Sequence, residues 1–158
     1  NNSRKTGEIM NPFPHIITDN ILDKEFCEQL KEVVTQLEFT YKQADLFSFF
    51  QSSDLTQSHN PTIIKLKQYV LTTLRKKMEE FSGIKLHKTQ VDLHATVYQD
   101  SDFLLLHDDQ LDSRKVAFLI YLSDMQENEG GALVFSTAQY VCRTCLHGFA
   151  GGTSVYDH

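Results

Sequence analysis

The chain has 158 residues, 41% of them hydrophobic and 11% aromatic, which suits one globular domain with a real core and argues against a disordered or fibrous chain. A net charge of -6 does not favour nucleic acid as a direct partner, because phosphate binding needs a basic surface; a basic peptide or protein substrate is compatible with it. No apolar run approaches the roughly 20 residues of a membrane span, and an odd, irregular set of cysteines (Cys27, Cys142, Cys145) argues against a disulfide framework and for a reducing cytoplasm or nucleus.

In chain order, residues 1–12 are polar and expected to be loose, with no apolar stretch after Arg4 and Lys5 of the kind a signal peptide carries. The first residue is not Met, so the chain is expected to be a piece of something longer. His15, Ile16, Ile17 and Thr18 form a short strand candidate, and Asp19 and Asn20 a turn. Asp23 can cap a helix with Phe26, Leu30, Val33 and Leu37 on one face. Residues 46–50 fit a short strand or an apolar loop.

Asn60 and Pro61 then predict the start of a long helix, with Ile63, Leu66, Val70, Leu74, Met78 and Phe81 along one face and Gly83 ending it. Lys65, Lys67, Arg75, Lys76 and Lys77 on that helix are expected to face water. Beyond Gly83 the pattern turns to strands. Val91, Leu93, Ala95 and Val97 alternate with polar residues, 99–102 is a turn, 103–106 is a short apolar strand, and 116–122 is a buried strand. Residues 128–131 turn the chain into a strand beginning at Ala132. Helices followed by consecutive strands predict an α+β fold, a sheet or barrel buttressed by helices.

His107, Asp108 and Asp109 stand where the short apolar strand ends. On extended chain, His107 and Asp109 project to one side, where an imidazole nitrogen and a carboxylate oxygen can share a metal ion. Two His and one carboxylate form the facial triad of non-haem Fe(II) oxygenases. By itself, His-x-Asp is as consistent with a polar turn. Its surroundings say more. The run YQDSDFLLLHDD at 98–109, RKVAFLIYL at 114–122 and GGAL at 130–133, with Asn60-Pro61-Thr62 and the Leu46 to Leu55 stretch upstream, resembles the prolyl hydroxylases that modify a small-subunit ribosomal protein, members of the 2-oxoglutarate/Fe(II) dioxygenase superfamily. The resemblance covers roughly residues 12 to 136.

That resemblance implies a double-stranded β-helix, or jelly-roll, with N-terminal supporting helices. A flexible stretch at 1–12 would precede a dioxygenase domain at 13–136, with a helical buttress at 19–83 and barrel strands at 90–136, and a divergent tail at 137–158. His107 and Asp109 would be iron ligands. Tyr121 would hydrogen-bond the distal carboxylate of 2-oxoglutarate, and Tyr98 would face the same cavity. The plain alternative for both tyrosines is a core aromatic with its hydroxyl satisfied. Asp108 would turn away from the metal, and Arg114 and Lys115 would lie on the surface. Implied too are Fe(II), 2-oxoglutarate and ascorbate, a proline-containing protein or peptide substrate lying under a flap at 42–58, and hydroxylation coupled to conversion of 2-oxoglutarate to succinate and CO2. No membrane partner is expected, and the oligomeric state is left open.

The pattern departs from the family late in the chain. A second His and then a basic residue are expected there, but only His147 and His158 follow, with no Lys or Arg after Arg143. From residue 137 the sequence also has no clean strand periodicity. The chain alone is therefore expected to be poorly stable and to have little or no activity. The alternative is a non-catalytic barrel fragment or protein-interaction module. Cys142, Cys145 and His147 invite a zinc reading, which lacks an evident fourth ligand.

Overall fold

A computed structural model describes residues 7–9, 14–107, 113–123, 133–136, 141–144 and 150–157, with the backbone alone at 7–9, 135–136, 141–144 and 150–157. The elements run β1 (Gly7–Ile9), β2 (His15–Ile17), α1 (Lys24–Thr35), β3 (Phe39–Ala44), β4 (Phe47–Ser52), a 3-10 turn (Leu55–Gln57), α2 (Pro61–Tyr69), a π-helical turn (Val70–Leu74), α3 (Arg75–Ser82), β5 (Leu86–Leu93), β6 (Thr96–Val97), β7 (Phe103–Leu104), β8 (Arg114–Tyr121), β9 (Leu133–Ser136), β10 (Val141–Thr144) and β11 (Ala150–Asp157). Helix and strand are mixed, as the α+β expectation has it.

Local chemistry starts and stops the helices. Asp23 Oδ1 accepts the Phe26 N–H at 2.8 Å and opens α1, whose Phe26, Leu30 and Val34 are buried. Val33 and Leu37, expected on that face, lie partly buried at its margin, Leu37 beyond the helix end. Asn60 Oδ1 accepts from Thr62 N at 2.9 Å, and Pro61 occupies the first turn of α2. Ile63, Leu66, Val70, Leu74 and Met78 are all buried, as their spacing predicts. The later ones are four residues apart, a step that overshoots the 3.6-residue repeat, and the wider π turn at Val70–Leu74 takes up part of the difference. Gly83 closes α3 in the left-handed conformation, φ 70°, with its N–H on Glu79 O at 2.9 Å.

The basic residues of this helix are not simply solvated. Lys65 Nζ sits 4.1 Å from the centre of the Phe26 ring, Lys67 Nζ donates to Thr56 O, and Arg75 Nη1 pairs with Glu79 Oε1 at 2.9 Å. Their aliphatic stems cover the core edge while the charged ends find acceptors. Lys76 and Lys77 do face water.

Two sheets carry the rest. In one, β3 and β4 form a hairpin turning at Asp45 and Leu46, and the far edge of β4 is taken by β6 (Phe50 opposite Val97) and then β7 (Phe47 opposite Leu104). The expected flap at 42–58 is thus built around an inner strand of a sheet. In the other sheet β11 lies between β5 and β8, antiparallel to both. Short antiparallel pairs form from β1 with β2 and from β9 with β10.

Further sequence expectations change. Residues 1–12 are not uniformly loose, because Gly7–Ile9 pairs with His15–Ile17. The strand expected across 91–97 breaks at 94–95: Ser52 N donates to Ala95 O and Ala95 N donates to Ser52 Oγ, both at 2.9 Å, so the chain leaves the β5 sheet for the β4 sheet there. The tail, where no strand periodicity is visible, supplies β10 and β11. Three of the eight β11 residues are Ala or Gly, so β-propensity gives little warning of it.

The core lies between the helices and one face of the β5–β11–β8 sheet. Val91 and Leu93 are buried there, and Val116, Phe118, Ile120 and Leu122 are half-buried against it. The opposite parity of β8 is open, Leu119 being 40% exposed, so this strand is covered by the helical core on one side, not buried on both as its apolar run suggests.

Candidate metal and co-substrate site

The site region begins where β6 ends. Tyr98 follows Val97, and the chain reverses through residues 99–102. Gln99 N donates to Asp102 Oδ2 at 2.8 Å, Asp102 N donates to Gln99 O at 3.1 Å, and Ser101 takes φ 69° to complete the reversal. Ser48, buried in β4, donates from Oγ to Asp102 Oδ1 at 3.1 Å and accepts from Phe103 N at 3.3 Å. One hydroxyl thereby ties the turn to the sheet. Nothing in the run Phe47-Ser48-Phe49-Phe50 advertises this role, which exists only once β4 and β7 are paired.

The strand that follows is shorter than its apolar run predicts. It covers Phe103 and Leu104. Leu105 N then donates to Leu46 O at 2.8 Å, and the chain leaves the sheet with Leu105 and Leu106 exposed. His107 comes next, exposed, with Nδ1 at 2.8 Å from Leu105 O. A carbonyl can only accept, so Nδ1 carries the proton, and in the neutral ring Nε2 is the nitrogen with the lone pair. A ring nitrogen donating to a backbone carbonyl while the other faces a metal is the usual arrangement of metal-bound histidines. The donor chemistry of His107 therefore fits a metal ligand. Asp109, expected beside it, and Asp108, His147 and His158 lie outside the described residues, as does Cys145 of the zinc reading. Among the described residues, no three His, Cys, Asp or Glu side chains gather as a metal site.

Tyr98 and Tyr121, 23 positions apart in sequence, come close together. Burial around its hydroxyl, and then the Asp102 carboxylate, push the Tyr98 phenol up to about 12, although the residue as a whole is 39% exposed. Burial, and then Tyr98 itself, push Tyr121 up to about 12. Both phenols thus stay protonated through the physiological range and can donate a hydrogen bond, which is what a carboxylate co-substrate needs. Arg114 is half-buried and lies 3.7 Å from Asp92 Oδ2 across the β5–β11–β8 sheet, so it is not the surface residue the sequence suggests.

Residues 93–146 match the 2OG-Fe(II) oxygenase superfamily model. Prolyl 3-hydroxylase OGFOD1 of Xenopus laevis is 36% identical over 124 residues, 77% of this chain. The mouse protein of the same name is 35% identical over 78% of the chain, and the Drosophila melanogaster prolyl 3-hydroxylase sudestada1 is 32% identical over 77% of it.

The chain is a homologue of the prolyl 3-hydroxylases within the 2OG-Fe(II) oxygenase superfamily.

The aligned region is 24% of the Xenopus protein, 23% of the mouse protein and 24% of the Drosophila protein, so this oxygenase homologue spans about a quarter of the length of its curated relatives. The family match runs past Ser136 into β10, further than the sequence resemblance reaches. It contains both tyrosines and both members of the His107/Asp109 pair. A separate cavity of about 440 Å³ lies on the other face of the β4 sheet, lined by Val34, Phe39, Phe50 and Val97 with Lys31 and Gln99. It takes up neither His107 nor the tyrosines.

Proposed function

We propose that this chain is the iron-binding part of an Fe(II)- and 2-oxoglutarate-dependent prolyl hydroxylase, with His107 and Asp109 as metal ligands. The observation that carries this is the His107 ring, fixed by the Leu105 carbonyl so that Nε2 holds the lone pair, inside the segment that matches the oxygenase family. Bound there, Fe(II) with 2-oxoglutarate supplies activation of O2 for insertion into a C–H bond.

The protein's own residues position and shield. The Leu105 carbonyl sets the His107 tautomer. The Tyr121 hydroxyl donates to the distal carboxylate of 2-oxoglutarate, and Tyr98 encloses the same space. His147 and His158 remain the candidates within this sequence for a third ligand. In this reading the two sheets are the walls of a jelly-roll, the domain at 13–136 supplies all of their strands except β11, the helices at 19–83 buttress it, and the tail at 137–158, divergent in sequence, adds β11. Ascorbate would keep the iron reduced. The substrate is a prolyl residue in a protein, a small-subunit ribosomal protein being the candidate, and the enzyme acts in the cytoplasm or nucleus.

Mn(II), as a redox-silent stand-in for Fe(II), tests the proposal. Titration followed by electron paramagnetic resonance should show binding to the purified chain that falls at least tenfold in His107→Ala and Asp109→Ala, on the order of one lost ligand. Equal binding by all three proteins overturns the metal assignment and leaves the non-catalytic interaction module in its place.

A further inference from the structure

Strand β4 is built inside out. Its residues are Phe47-Ser48-Phe49-Phe50-Gln51-Ser52, and a strand packed on a core normally turns its apolar side chains inward. Here Ser48 and Ser52 are the buried pair, 3% and 5% exposed, on the face that also carries Phe50 and Val97 and looks toward α1. Phe47 and Phe49 stand on the opposite face, only half-buried. Their rings lie 5.1 Å apart, and the Tyr98 ring continues the row 5.5 Å beyond Phe49. Leu104, directly across from Phe47, shares this face and is 43% exposed. Lys42, across from Phe49 on β3, borders it. Three aromatic rings in a row that are only partly covered, Tyr98 being 39% exposed, forgo burial that a core would have given them.

We propose that the row Phe47–Phe49–Tyr98 is the platform on which the substrate's prolyl ring and its neighbours lie, making β4 the specificity-determining strand. The occupant follows from the chemistry. The row offers π faces and few hydrogen-bonding groups. A prolyl ring is rigid, saturated and lacks an N–H, so it needs no hydrogen-bond donor satisfied there, and aromatic-lined surfaces are how proline-rich segments are bound elsewhere. The row is also within reach of the proposed chemistry. Leu104 pairs with Phe47, and His107 is three residues further on, roughly 10 Å of extended chain. This inference rests on the proposed hydroxylase reading for what the platform serves, but its test does not depend on turnover.

A short fluorescent peptide with one central proline is titrated against the full chain by anisotropy, beside a twin with alanine at that position. Mn(II) binding is measured in parallel on the same proteins. The wild type should prefer the prolyl peptide by about fivefold to tenfold, the scale of one ring contact. Phe49→Leu, which keeps an apolar side chain, should lose that preference and retain Mn(II) binding. Phe47→Leu is read in the same way if Phe49→Leu does not fold. Equal affinity for the two peptides in the wild type overturns the proposal, as does a preference surviving in a folded variant. Self-association that depends on Phe49, without peptide preference, identifies the row as an interface between copies and overturns it too. If the preference is present and ring-dependent while Mn(II) binding is absent, the platform stands and the hydroxylase reading falls.

Discussion

Ser48→Ala should destabilise the chain and disturb the approach to the metal site together. The Ser48 hydroxyl donates to a carboxylate, Asp102, at 3.1 Å and accepts a backbone N–H, from Phe103, at a longer 3.3 Å. A hydrogen bond to a charged group contributes about 1.5–3 kcal/mol, and a long neutral one at most about 1 kcal/mol. Two effects reduce the sum. Asp102 is only half-buried, so water can replace the lost donor, and the alanine methyl suits a site that is 3% exposed. The net loss should be about 2 kcal/mol, or a melting temperature lower by roughly 4–8 °C in a chain of this size. The chain has no tryptophan, so urea unfolding is best followed by far-ultraviolet circular dichroism. A double-mutant cycle with Asp102→Ala should give a coupling energy of about 1–2 kcal/mol. The turn connects Tyr98 to the strand leading to His107, so Mn(II) affinity should weaken as well. A Ser48→Ala loss below about 0.5 kcal/mol, the range of an indifferent surface change, would refute the view that this hydroxyl holds the turn.

Leu30→Ala, at a position 1% exposed in the middle of α1, should cost about 3 kcal/mol in the same urea assay. Asn60→Ala, which removes the cap of α2, should cost about 1 kcal/mol. Glu79 is held below its ordinary value of 4.5, first by the Leu86 N–H and then, against a smaller effect of burial, by Arg75. Its contribution is therefore present above pH 4.5 and lost as the pH falls below it, and Glu79→Gln should flatten the acid limb of urea midpoint against pH. Tyr98 and Tyr121 are raised from 10 to about 12, so the stability tied to their neutral forms is complete below pH 10 and disappears as the pH rises toward 12. Tyr121→Phe should make alkaline unfolding, followed by circular dichroism, less steep over that interval.

Local signals made much of the helical half legible. Asp23, Asn60 and Gly83 satisfy or redirect backbone groups within a few residues of themselves, so their roles can be seen before any fold is known. The buried face from Ile63 to Met78 follows from helical repeat alone. The His107/Asp109 motif was visible as residue types at a spacing, whereas the two tyrosines came only from the family resemblance. That Tyr98 and Tyr121 come near each other could not be read from spacing, since Tyr98 follows a strand of one sheet and Tyr121 ends a strand of the other.

What the linear sequence determined was where helices begin and end, which of their faces is apolar, and which residue types could bind a metal and a carboxylate. What the tertiary structure decided was which strand sits beside which. That includes β11 between β5 and β8, the chain changing sheets at Ala95 through Ser52, and β4 burying its serines while leaving its phenylalanines only half-covered. The physical reason is range. Helical hydrogen bonds close within four residues and are encoded locally, whereas a strand's partners and its covered face are fixed by segments some 40 to 65 residues away, as Ser52 with Ala95 and Val91 with Val155 illustrate.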